Sequence, residues 1–132
     1  MAPAPDPTRA SARMPTWFIP HGGGPCFFMD WNPPDAWDRM AAYLRGAAAT
    51  LPQPPRAIVM VSAHWQEPAF SVTTGPQPEL IFDYYGFPPH TYQLKYPAPG
   101  EPVLARRITA LLEGAGLPAG SNASRGFDHG MF

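Results

Sequence analysis

The stretch TWFIPHGGGPCFF, residues 16–28, sets the first constraint on how this chain folds. Trp17-Phe18-Ile19 reads as a short buried strand, and Pro20 with Gly22-Gly23-Gly24 cannot continue one. His21 is therefore expected just past a strand's carboxyl end, the edge of an open α/β sheet where ligands bind. Three glycines remove side-chain bulk and allow positive φ, so a ligand or a second backbone segment can come close. Two chemistries use such a loop. The histidine can be a metal ligand, or the glycine amides can form an oxyanion hole, as in the HGGG loops of some esterases.

Downstream, Asp35 is placed to cap a helix whose apolar face is Trp37, Met40, Ala41, Leu44, Ala48 and Leu51. Pro52, Pro54 and Pro55 stop it, and Ala57-Ile58-Val59-Met60-Val61 has the unbroken apolar character of a strand buried on both faces. Strand, helix, strand implies a parallel pair. The second strand runs into Ser62-Ala63-His64-Trp65, which puts His64 on the same sheet edge as His21. Phe70 to Thr74 reads as a third strand. Residues 76–100 are loop-like, with Phe82, Tyr84, Tyr85, Phe87, Tyr92 and Tyr96 among prolines. That loop either packs down as ordered surface or walls a pocket for an aromatic ligand. Pro102 suits the first turn of a helix whose apolar face is Leu104, Ile108, Leu111, Leu112 and Ala115, and Gly114 and Gly116 are placed to end it. The expected class is α/β, with a mixed, largely parallel sheet flanked by helices.

Composition narrows the function. The chain has 132 residues, 45% of them hydrophobic, enough for one domain with a core. Nine basic against ten acidic residues give a net charge of −1 and no basic face for nucleic acid or anionic lipid. No apolar run reaches the roughly 18 residues that span a membrane, so a soluble protein is expected. Cys26 is the single cysteine, which excludes an internal disulfide and suits a reducing compartment; the expected location is the cytoplasm, and Cys26 itself is expected to be buried as a small apolar residue. Residues 1–13 lack an apolar core, read as a disordered tail, and offer only a faint likeness to an organelle-targeting leader. The oligomeric state is not legible.

Of the four histidines, His21 and His64 stand at adjacent expected strand ends, and metal sites need donors from several segments converging on one point. His90, in FPPHTY, reads as an ordinary loop histidine. His129, in GFDHG, suits an acid or base better than a ligand; Asp128 beside it could orient the imidazole, although adjacent side chains in an extended segment usually diverge. The esterase reading needs a nucleophilic serine in a G-x-S-x-G elbow, and the sequence has none.

The ordered set IPHGGGP, RAIVMVSAHW, YGFP, YPAPG and GFDHG, within residues 15–132, resembles the amino-terminal half of the class III extradiol ring-cleavage dioxygenases, in the DOPA 4,5-dioxygenase-like branch. The resemblance implies a mixed α/β fold holding a non-haem metal, with Fe(II) expected and Zn(II) as the alternative. It implies that His21 and His64 are metal ligands and that His129 is a catalytic residue lying near the substrate, in positioning or proton transfer. A catechol-type substrate and O2 are the implied partners. Family members continue past the FDHG segment and supply a further ligand and a base there. Residues 14–132 are accordingly expected to form a truncated amino-terminal half of the domain, with little or no activity alone. Two other readings stand beside it: a non-catalytic metal-binding half-site that needs a partner chain, and an HGGG-type esterase fragment.

Overall fold

The computed structural model describes residues 13–132; the expected tail lies outside the described residues except for Arg13. Helix α1 (Asp38–Ala47) runs on into a 3-10 turn, Ala48–Thr50. It begins later than the sequence predicts. Asp35 makes no side-chain cap; its backbone carbonyl accepts the N–H of Asp38 instead, and the cap position falls to Trp37. The helix turns Ala47 inward, with Trp37, Met40, Ala41 and Leu44 half-buried.

Strand β1 (Phe70–Thr73), helix α2 (Pro102–Gly114) and strand β2 (Ala119–Asn122) make one strand–helix–strand unit. The two strands are parallel, in register from Phe70 opposite Ala119 to Thr73 opposite Asn122, and α2 packs on both. The expected mixed α/β class with parallel pairing is what forms. Each end of α2 has a local cause. Pro102 occupies the first turn, where a missing N–H costs nothing, and the Glu101 carboxylate accepts the N–H of Val103 at 3.2 Å. At the far end Gly116 N–H returns to Glu113 and Leu117 N–H to Leu112, the paired bonds of a Schellman stop. Ala105 is the buried contact of the helix.

A second parallel contact joins Leu80 to Phe127. Ile81 N–H donates to the Phe127 carbonyl at 2.7 Å and Phe127 N–H to the Glu79 carbonyl at 2.8 Å. This tie lays the segment 126–129 along 79–83. A side chain at Gly126 would collide with the Glu79 carbonyl, so the approach requires glycine there.

Two expected strands do not form. Residues 17–19 and 57–61 pair with no strand among the described residues, so the expected parallel pair between them is absent. Phe18 is 95% exposed and Val61 89% exposed, where the sequence predicts burial. A strand is a property of a pair: an apolar run supplies the side chains, but the backbone bonds must come from a neighbour. Ile58, Val59, Met60 and Val61 instead border, with β1 and with Leu104, Ile108 and Leu112 of α2, an apolar cleft of about 1140 Å³. No helix among the described residues is long and apolar enough to cross a membrane.

Exposed, unpaired, apolar backbone is a template for pairing between chains. The chain is expected to self-associate as its concentration is raised in sedimentation velocity, and Val61→Lys to shift it toward monomer with the circular dichroism spectrum unchanged. Identical sedimentation of the two proteins would contradict this.

Candidate metal centre

Three histidines from three separate segments meet. Each of His21, His64 and His129 offers one ligand nitrogen, and these nitrogens all lie within 4.8 Å of one another. The Nε2 atoms of His21 and His64 are 2.6 Å apart. The His129 ring centroid is 4.0 Å from that of His64 and 5.0 Å from that of His21. His21 is exposed, and His64 and His129 are half-buried. The convergence of His21 and His64 is as expected, although the strands expected to deliver them are unpaired. His90 stands apart, its Nε2 within 2.8 Å of the Phe28 carbonyl, in keeping with its reading as an ordinary loop histidine.

The glycine loop holds His21 by close approach. A Cβ on Gly22 would stand 2.7 Å from both Cys26 Sγ and the Trp37 ring; Gly24 has φ +54° and abuts the Phe87 ring; the space around Gly23 is open. Cys26, buried as expected, lies beneath this loop, and burial pushes its thiol pKa up, away from reactivity. Trp31 Nε1 donates to the Cys26 carbonyl at 2.7 Å.

His64 and His129 are joined through Asp128, which is 3% exposed. Its Oδ1 accepts Ser62 Oγ–H at 2.8 Å and Gly130 N–H at 3.1 Å, and its Oδ2 takes Arg125 Nη2 at 3.0 Å. Ser62 Oγ in turn accepts the backbone N–H of His64 at 3.1 Å. Arg125 also lies over the Trp65 ring, 5.2 Å from its centroid. Asp128 thus does not orient the His129 imidazole, which was the role the sequence offered it. Neighbouring side chains diverge here: Asp128 turns inward and His129 toward the other histidines. The hydroxyl of Ser62 is committed to Asp128, and no serine among the described residues bonds a histidine ring, so the esterase arrangement is not built.

The residue that does hold His129 is Asp83. Its Oδ1 accepts both His129 Nδ1–H at 2.8 Å and His129 backbone N–H at 3.0 Å. Burial by itself would push the Asp83 carboxyl up; the hydrogen bonds from His129 and its charge outweigh that and hold the pKa below the ordinary carboxylate value. No sequence signal marked Asp83, which sits in the aromatic run IFDYYGFPP, 46 positions from its partner. That run folds down as an ordered cluster. Tyr84 is buried, its O–H donates to the Thr91 carbonyl at 2.6 Å, and burial raises its pKa. Its ring lies 5.2 Å from Tyr92, 6.4 Å from Phe132 and 6.2 Å from His129, so the cluster also forms one wall beside the histidines.

These bonds decide whether the site suits a metal. The Gly22 carbonyl only accepts, so in neutral His21 the Nδ1, 2.6 Å away, carries the proton and Nε2 the lone pair. The same logic applies to His129 against the Asp83 carboxylate. Two rings whose Nδ1–H is bound by oxygen and whose Nε2 carries the lone pair, with a third imidazole beside them, are a donor set that fits Fe(II) or Zn(II).

Comparison with known proteins agrees in kind. Residues 16–132 match the family described as the catalytic LigB subunit of aromatic ring-opening dioxygenase. The chain is 38% identical over 130 residues to the dioxygenase tasH of Hapsidospora irregularis, covering 93% of this chain and 40% of that protein. It is 39% identical over 124 residues to the 4,5-DOPA dioxygenase extradiol of Escherichia coli K12, covering 93% of this chain and 42% of that protein. With the Beta vulgaris protein of the same name it shares 44% over 79 residues, 59% of this chain and 30% of that protein. The chain spans about two fifths of the length of the first two relatives.

Gly22→Ala and Gly24→Ala are each expected to destabilise the chain by about 1–3 kcal/mol, and Gly23→Ala by less than about 0.5 kcal/mol, in urea denaturation; equal effects at the three positions would contradict the loop geometry. The Asp83 pKa is lower in the folded chain than its ordinary 3.8, so its contribution to stability is present above that pH and is lost as pH falls below it. Acid unfolding is expected to flatten in Asp83→Asn over that range, and an unchanged acid limb would contradict the assignment.

Proposed function

This chain belongs to the family of catalytic LigB subunits of aromatic ring-opening dioxygenases, and on that premise we propose that its three-histidine cluster is the metal centre of an extradiol ring cleavage. In this reading residues 14–132 supply the amino-terminal part of the dioxygenase domain. His21 and His64 hold Fe(II), with Zn(II) as the alternative, and His129 does proton work beside them. The substrate is a catechol-type aromatic, and O2 is the co-substrate that enters the opened ring. The single observation that carries the proposal is the meeting of the three imidazoles within ligand distance, from segments far apart in the chain.

When bound, the metal would supply Lewis acidity toward the diol, and Fe(II), unlike redox-inert Zn(II), would also supply the electron exchange that lets O2 react with an aromatic ring. The rest is done by the chain. His21 and His64 present imidazole nitrogens 2.6 Å apart, and His21 is exposed to solvent. His129, with Nδ1–H on Asp83, keeps a lone pair on Nε2, the form that accepts a proton from a catechol hydroxyl and later returns it. The resulting positive charge on the ring is stabilised by the carboxylate behind it. Tyr84 lies beside the ring with Phe82 and Phe132 packed against it, an apolar wall that suits an aromatic substrate.

The exposure of His21 favours a second reading, in which the chain supplies half a site to a partner chain that completes it. The two readings differ in whether this chain turns over a catechol by itself or only with a complement.

Titration with Co(II) or Zn(II) under anaerobic conditions is expected to reach one equivalent, and His21→Ala and His64→Ala to abolish binding. His129→Gln is expected to keep the metal and lose ring cleavage in the complete site. Loss of metal in His129→Gln would make His129 a third ligand, and full binding in His21→Ala would contradict the proposal.

A further inference from the structure

The carboxylate that touches a ring of the cluster is that of Asp83. Asp83 spends a single oxygen on both ends of His129, the backbone N–H at 3.0 Å and Nδ1–H at 2.8 Å. Gripped at main chain and ring together, the imidazole loses freedom about both of its side-chain torsions. No other acid among the described residues bonds its ring. Asp128, its sequence neighbour, has both oxygens occupied by Ser62, Gly130 and Arg125. On its other side the His129 ring faces His64, His21 and Tyr84. The Tyr84 hydroxyl is turned away to the Thr91 carbonyl.

We infer that Asp83 is a positioning residue: its carboxylate fixes the orientation of His129 and its Nδ1–H tautomer, so that Nε2 is the lone pair presented beside His21 and His64. A neutral imidazole without such an acceptor has two tautomers, and only one of them leaves Nε2 able to accept a proton or bind a metal. The effect on metal or substrate rests on the function proposed above; the tautomer does not. Asp83 thereby does for His129 what the Gly22 carbonyl does for His21. A carboxylate acceptor adds charge to that hold, which a carbonyl lacks.

The test is nitrogen NMR on the full chain labelled at its histidines, metal-free, at a pH where the His129 ring is neutral. The wild-type spectrum is expected to show His129 with a protonated Nδ1 and an unprotonated Nε2. Asp83→Ala is expected to populate the opposite tautomer, and Asp83→Asn, whose amide oxygen still accepts, to retain much of the original one. Zinc affinity on the same samples is expected to hold in Asp83→Ala and Asp83→Asn, as in His129→Gln, because His129 stands beside the metal and not on it in the function proposed above. A wild-type His129 protonated on Nε2, or a tautomer unchanged in Asp83→Ala, overturns the inference; the wild-type spectrum decides even where Asp83→Ala fails to fold. The expected tautomer in a wild-type chain that binds no zinc upholds the positioning role and counts against the proposed metal centre instead.

Discussion

The buried carboxylate of Asp128 is the interaction on which the site depends. Taking a charged group out of water costs several kcal/mol unless it is paired and hydrogen-bonded. Here Ser62, Gly130 and Arg125 satisfy it from two separate stretches of chain. The Ser62 hydroxyl passes the constraint on to the backbone of His64. One carboxylate therefore fixes the distance between the SAHW loop and the FDHG loop. The pairing of Phe127 with the segment 79–81 fixes the latter against the aromatic run. With both ties in place His64 and His129 have little choice but to meet.

The two aspartates near His129 divide the work according to where they point. Asp128 looks inward and carries the architecture; Asp83 looks outward to the ring and sets its chemistry. His21 arrives by a different route, through a glycine loop pressed against Trp37 and Phe87, and takes its tautomer from its own neighbour's carbonyl. Three histidines thus reach one point by three kinds of restraint. The aromatic cluster of Phe82, Tyr84, Tyr92 and Phe132 closes the side that the polar network leaves bare. An exposed approach remains at His21.

The parts of this arrangement that could be read from the sequence are those set by local chemistry. Both helices follow from apolar spacing, and the Pro102 start of α2 and its stop near Gly116 follow from the special backbone properties of those residues. Strand β1 carries the β-branched signal of Val72 and Thr73. Its partner β2 has the sequence Ala-Gly-Ser-Asn, which no strand propensity favours, and it exists because α2 returns the chain alongside β1. Residues 57–61 are the reverse case: a strong propensity with no partner stays unpaired and exposed. His21 and His64 were legible because short motifs flank them. Asp83 was not, because its meaning lies in a bond across 46 residues, while Asp128, adjacent in sequence, drew the assignment that geometry gives to Asp83.

In the proposed function His21 and His64 hold one metal ion and His129 stands beside it. Anomalous diffraction from crystals of the chain grown with Zn(II) places the ion without reference to any assay. The expected peak has the imidazole nitrogens of His21 and His64 at about 2.0–2.1 Å and His129 beside it, its Nδ1 still on Asp83. A zinc bound elsewhere, at His90 or at surface carboxylates, with the cluster of His21, His64 and His129 left bare, would contradict it.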